Sequence, residues 1–249
     1  MIIPRWGPKP IQIIFGGTGG LMSYFLGIAS HLQKTYPRVQ NKDPVYTGIS
    51  GGSISSLLLA LNYPINHFHE KYVLESWKEL NKHFTGAIGN FYPKVIPKMN
   101  DFLEKNQIQT SSLEGKYYLK ASRLKVEGLN WRFEPVLLDQ WNSSDDLLHA
   151  IQSTANLPIL GCGLKDLGIK KEVLYDGALT GSRFDLADLG HLKQNQIPSN
   201  LKTIYIHTHI VNKYPWWNYW LWTCDEWHQQ LFQRGIDDAQ KVEEFKFLK

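Results

Sequence analysis

With 249 residues, 43% of them hydrophobic and 20% charged, the chain can bury one sizeable α/β core and is too apolar to be disordered. A net charge of +4 suits an anionic membrane surface but is too slight to argue for a nucleic-acid partner. The two cysteines, Cys162 and Cys224, exclude a disulfide scaffold and suit a reducing compartment.

The first ten residues are broken by Pro4, Pro8 and Pro10 and do not read as a signal peptide. No apolar run approaches the roughly twenty residues of a spanning helix. The expectation is a single domain over residues 1–249, with its core over about 11–245, either cytoplasmic or peripheral to a membrane.

In chain order, Ile11-Gln12-Ile13-Ile14-Phe15 reads as a buried strand running into Gly16-Gly17-Thr18-Gly19-Gly20. A helix follows, with Leu21, Phe25, Ile28, Ala29 and Leu32 on one face. A glycine loop between strand and helix offers backbone N–H groups to an anion, either a nucleotide phosphate or an oxyanion. No Lys-Ser/Thr follows the glycines, and the Gly-x-Gly-x-x-Gly register breaks at Met22, so the oxyanion reading fits better.

The next strand, Pro44-Val45-Tyr46-Thr47, leads into Gly48-Ile49-Ser50-Gly51-Gly52 and then a helix over residues 54–61. Strand, tight turn and helix around Gly-x-Ser-x-Gly is the context of a nucleophile elbow, with Ser50 as the nucleophile. Successive turns of this kind lie at one sheet edge, so the glycine loop and Ser50 can be neighbours.

An amphipathic helix is expected over about residues 67–83, with His67-Phe68-His69-Glu70 as a solvated helix start and not a metal site. The Gly/Pro-punctuated stretch 85–97 within region 63–115 suits a lid or the wall of an acyl-chain pocket. Strand-like runs return at 116–121, 124–126 and 131–138. Ser143-Ser144-Asp145-Asp146 then opens a helix to about Ala155, where capping accounts for both aspartates.

Glu172-Val173-Leu174-Tyr175 is a core-like strand that delivers Asp176-Gly177, a candidate base for Ser50. Asp166, Asp185 and Asp188 lack such a strand in front of them. A further strand, residues 202–206, ends at His207-Thr208-His209. Five of the nine tryptophans follow within an aromatic segment, 213–227: Trp216, Trp217, Trp220, Trp222 and Trp227. Such a segment beside a site suits the membrane headgroup zone, with Trp216, Trp217 and Trp220 as contacts, or aromatic packing of the last helix. That helix is expected over about residues 225–245.

Together, Phe15-Gly16-Gly17-Thr18-Gly19-Gly20, Gly48-Ile49-Ser50-Gly51-Gly52, Ser153-Thr154-Ala155-Asn156-Leu157-Pro158 and Asp176-Gly177 resemble the patatin-like phospholipase family, especially its adipose triglyceride lipase-like branch. The resemblance runs from about Ile11 to Phe245. It implies a three-layer α/β/α patatin-like fold with a mostly parallel central sheet. It also implies a Ser50–Asp176 dyad without histidine, an acyl-enzyme intermediate and an oxyanion hole from the N–H groups of Gly17, Thr18 and Gly19. Gly16, Gly20, Gly48, Gly51, Gly52 and Gly177 support these motifs.

The implied substrates are phospholipids or acylglycerols at a membrane or lipid-droplet surface, with no metal or other cofactor. Leu21 and Met22 stand where common plant and bacterial members have arginine and glycine, which leaves the lipid class open. Two alternatives stand beside this: an α/β-hydrolase triad using His207 or His209 as base, and a catalytically silent lipid-binding protein on the same fold.

Overall fold

The computed structural model describes residues 4–5, 9–41, 43–82, 91–127, 129–156, 174–181, 198–208, 210 and 225–249. In order these form β1 (Ile11–Phe15), α1 (Met22–Thr35), α2 (Pro37–Gln40), β2 (Val45–Ile49), α3 (Gly52–Leu61) and α4 (Ile65–Phe68). Next come α5 (Glu75–Leu80), α6 (Phe91–Lys105), β3 (Tyr117–Glu127), β4 (Asn130–Leu138), α7 (Ser144–Thr154), β5 (Leu174–Asp176), β6 (Lys202–Ile206) and α8 (Asp225–Ala239). The sheet order is β4-β3-β2-β1-β6, with β5 paired to β3 off this path.

β6, β1, β2 and β3 are mutually parallel, and β4 and β5 run antiparallel to β3. Every residue of β1 and β2 is buried. Strands buried along their whole length are what a parallel sheet covered by helices requires. The architecture is α/β with a mostly parallel central sheet, and it fits a three-layer α/β/α arrangement.

The register places the site. β2 and β5 share the edge of β3 opposite β4, and they run head to head along it. β2 ends with Ile49 opposite Lys120, and β5 ends with Asp176 opposite Ala121. Residues far apart in sequence are therefore delivered to one point, Ser50 leaving one strand and Asp176 closing the other.

The α1–α8 pair is crossed unusually tightly. A Cβ on Gly27 would lie 2.0 Å from the Phe232 carbonyl oxygen, and one on Gly235 would lie 2.1 Å from that of Tyr24. Backbones can come this close only with glycine at both positions. The Tyr24 hydroxyl donates to Asp238 at 3.0 Å across the same interface, and Ser23 Oγ lies 3.1 Å from His228 Nδ1.

Several sequence expectations are corrected. The runs at 116–121 and 124–126 are one strand, β3, because its outer half stays in register with β4 beyond the end of β2. Residues 65–80 form a helix whose middle, His69–Leu74, is a π segment. Within it Phe68 and His69 are buried while His67 is exposed, so this is not a solvated helix start. His69 stacks on Phe232 and bonds Ser23 at 3.1 Å, and burial lowers its pKa to about 4.

Residues 91–105 are helical despite Pro97, whose ring is exposed and which removes one backbone donor from the helix. The last helix ends at Ala239, and a 3-10 turn, Glu243–Leu248, follows. Among the described residues no helix is long and apolar enough to cross a membrane. Trp216, Trp217, Trp220, Trp222, His209, Cys162, Cys224, Asp166, Asp185 and Asp188 lie outside the described residues.

Candidate active site

Ser50 sits between β2 and α3 with φ 54°, a left-handed conformation that a serine adopts only where its surroundings impose it. Its N–H donates to Thr154 Oγ1 at 3.0 Å, and the Thr154 hydroxyl donates to the Lys120 carbonyl. Its carbonyl accepts the Ser53 N–H at 3.0 Å. The turn is closed against its neighbours, since a Cβ on Gly52 would lie 2.3 Å from the Gly16 carbonyl oxygen and one on Gly48 2.4 Å from Ser56 Oγ. A strained serine in a strand-turn-helix connection is the geometry of a nucleophile elbow.

Asp176 is 1% exposed, and its carboxylate accepts a hydrogen bond from the Ala178 N–H at 2.8 Å and lies close enough to the Ser50 hydroxyl to be stabilised by it. β5 is tied down by Asn156, whose carbonyl takes the Asp176 N–H at 2.8 Å and whose side chain donates to Leu174 at 3.0 Å. Burial pushes the Asp176 carboxyl up to about 6, against the Ser50 hydroxyl, the Ala178 N–H and the Lys120 charge, which pull it down. A carboxylate poised this close to neutral pH is a far better proton acceptor than an ordinary aspartate.

The glycine loop lies beside this pair. A Cβ on Gly17 would be 3.8 Å from Ser50 Cβ and 3.4 Å from Ala178 Cβ. The Gly16 N–H is used by the sheet, donating to Ile206 at 2.9 Å. Among the described residues the N–H groups of Gly17 and Thr18 have no protein partner. Gly19 has φ 51° and opens the 3-10 turn Gly19–Leu21, and Gly51 packs on the Thr18 hydroxyl. Unused backbone donors next to a serine are what a tetrahedral oxyanion needs.

The structure thus brings together Ser50, Asp176 and the loop carrying Gly17, Thr18 and Gly19. Among the described residues no histidine bonds to Ser50 or Asp176, and the His207 ring stacks on Tyr205, centroids 5.4 Å apart. Three contributors escaped the sequence reading: Thr154, Asn156 and Lys120. The first two lie in the 153–158 segment already noted for its resemblance. The third is the one charged residue in the buried first half of β3, Tyr117 to Ser122.

Human patatin-like phospholipase domain-containing protein 2 is 27% identical over 173 residues, covering 69% of this chain and 33% of that protein. The chain thus spans about a third of the length of that relative, 33%. The crystal structure of VipD from Legionella pneumophila overlaps 80% of this chain and 50% of its own, with TM-score 0.44 and 12% identity. No family model matches the chain. The human relative supports the patatin-like family for this chain, and the α/β fold with its elbow fits that family's three-layer architecture.

Proposed function

We propose that the chain is a lipid acyl hydrolase that cleaves carboxylic esters of phospholipids or acylglycerols through a Ser50–Asp176 dyad. The observation that carries this reading is the meeting of the strained Ser50 at the end of β2 with the buried Asp176 at the end of β5, whose carboxyl is raised to about 6. Asp176 takes the hydroxyl proton as Ser50 Oγ attacks the acyl carbonyl. The Gly17, Thr18 and Gly19 N–H groups hold the oxyanion, and the leaving alcohol takes the proton. Water activated by the same carboxylate then frees the fatty acid from the acyl-serine. Each oxyanion donor is worth about 3–4 kcal/mol in comparable enzymes.

Room for an acyl chain requires the apolar cleft near the elbow to widen, since it holds only about 20 Å³. This cleft opens beside Met22, the first residue of α1, and Ile54, in the first turn of α3. Its walls are Phe68, Tyr72, Trp77 and Met99, from the 63–115 region. Lys98 stands at the cleft, paired with Glu75 at 3.4 Å and Glu79 at 3.1 Å.

The lipid surface has a match as well. The β3–β4 hairpin runs past the carboxyl end of β2, on the side where Ser50 sits, for roughly 17 Å from Ala121 to Val126. Its pairing puts Leu124 opposite Phe133 and Val126 opposite Trp131 on one face, and Arg123, Lys125, Arg132 and Glu134 on the other. The apolar face lies open: Val126 is 54% exposed, Trp131 71%, and Leu129 at the tip 99%. Charges on the other face neutralise one another through pairs such as Arg132–Glu134 at 2.9 Å and Lys125–Glu127 at 3.4 Å. An exposed tryptophan and leucine beside a lipid-cleaving site suit the headgroup zone.

The test is fatty-acid release by purified protein from phospholipid vesicles and from neutral-lipid emulsions, with one class expected to dominate. No release from either class would contradict the proposal. Changing Leu129 and Trp131 together to serine is expected to weaken vesicle binding at least about tenfold, from the apolar area lost. Hydrolysis of a soluble ester should stay within about twofold of wild type, because the hairpin tip is remote from Ser50. Equal vesicle binding by the double variant in a sedimentation assay would remove the hairpin from the account.

A further inference from the structure

Lys120 is 1% exposed, in a strand segment whose neighbours Tyr117, Tyr118, Leu119 and Ala121 are equally buried. Placing an ammonium there costs several kcal/mol unless it finds partners. Among the described residues it finds partners in the turn that Asp176 begins. Its Nζ donates to the carbonyls of Thr180 at 3.3 Å and Gly181 at 2.5 Å, which close the short 3-10 turn Gly177–Thr180 begun by Asp176. The neighbouring strand residue Ser122 reaches the same turn, Oγ to Thr180 Oγ1 at 3.1 Å. On the backbone side, the Lys120 carbonyl accepts from Thr154, the residue that holds the Ser50 N–H.

We propose that Lys120 is a positioning residue for the Asp176 base, its ammonium anchoring the turn that aims the carboxylate and its charge keeping that carboxylate ionised. The proposal rests on the dyad reading above. Among the described residues, Asp176 is the ionisable group that acts on Lys120, and Lys120 the one that acts electrostatically on Asp176. The other elements here, β2, β4, α7 and the 177–180 turn, bring no charged side chain that acts on either group among the described residues. The Ser50 hydroxyl and the Ala178 N–H act on Asp176 as well. Burial draws the Lys120 ammonium down to about 8 while Asp176 pulls it up, so the pair is charged together in the neutral range.

A clamp without electrostatic effect would also explain the hydrogen bonds, and two substitutions separate the cases. Lys120→Met removes charge and donors, and Lys120→Gln keeps a neutral donor. On a soluble ester, both are expected to move the acid limb of kcat/KM upward by about one pH unit, with KM within about threefold of wild type. The plateau kcat should fall about 10- to 100-fold in Lys120→Met and recover in part in Lys120→Gln. Should Lys120→Met fail to fold, as judged by circular dichroism, Lys120→Gln decides alone.

An NMR titration of the Asp176 side-chain carboxyl in wild type and Lys120→Gln gives the same comparison without turnover. It stands even if the wild-type chain cleaves no ester. An upward displacement of that midpoint by about one unit is the expected result. An unmoved midpoint in the folded variant would overturn the proposal.

Discussion

Asp176→Asn is expected to slow ester cleavage by about 10²- to 10⁴-fold, the range for loss of a positioned general base. Asparagine keeps the shape and can still meet the Ala178 N–H, which now donates to Asp176 at 2.8 Å, but it cannot take the Ser50 proton. In the wild type, activity should rise with pH through a midpoint near the Asp176 value of about 6, as the carboxyl ionises. The same group leaves a mark on stability. An unfolded aspartate ionises near pH 3.9, whereas the folded one holds its proton to about 6. Between those values the folded state binds more protons, so this group's contribution to stability falls as pH rises from about 4 to about 6 and stays low above it. The fall amounts to about 2–3 kcal/mol. Urea unfolding at pH 4.5 and 7.5 should show that fall in wild type and its absence in Asp176→Asn. Parallel pH dependences for the two proteins would contradict the burial argument.

Ser50→Ala should abolish turnover, with a loss of at least about 10⁴-fold, as expected when a nucleophile is removed from a dyad that acts as one unit. The variant should fold, because the bonds that hold the elbow come from the Ser50 backbone, its N–H to Thr154 and its carbonyl to Ser53. Ser50→Gly should be equally inactive yet more stable, since φ 54° costs a residue with a Cβ about 1 kcal/mol and costs glycine almost nothing. For a chain of this size that is a rise of about 2–4 °C in Tm. A calorimetric melt showing Ser50→Gly below wild type would mean the serine side chain stabilises the turn more than its backbone strains it.

How much of this was legible before the structure depends on how local each signal is. β1 and β2 announce themselves as short apolar runs ending in glycine turns, and Ser143 bonding the Asp146 N–H at 3.1 Å is a cap readable from four residues. Ser50, the glycine loop and Asp176 were legible because each ends a strand. Their convergence was not, since it depends on β5 running antiparallel to β3 and meeting β2 head on, a long-range pairing with no local signature. For the same reason Lys120, Thr154 and Asn156 went unassigned, as their roles exist only across strands. The exposed apolar face of the β3–β4 hairpin was hidden too. Alternation of Val126, Trp131 and Phe133 with charges reads like any half-buried strand until the face is seen uncovered. His69 misled because a polar residue at a helix start suggests solvent, whereas tertiary packing against Phe232 and Ser23 covers it.

The central claim is that Ser50 is a nucleophile activated by Asp176, and covalent trapping tests it without choosing a lipid. Purified native protein treated with a fluorophosphonate, then digested and mapped by mass spectrometry, should carry one adduct, on Ser50. Labelling should slow below pH 6, where Asp176 becomes protonated, and disappear in Ser50→Ala. A native protein that remains unlabelled at Ser50, or labels equally fast in Asp176→Asn, would contradict the account.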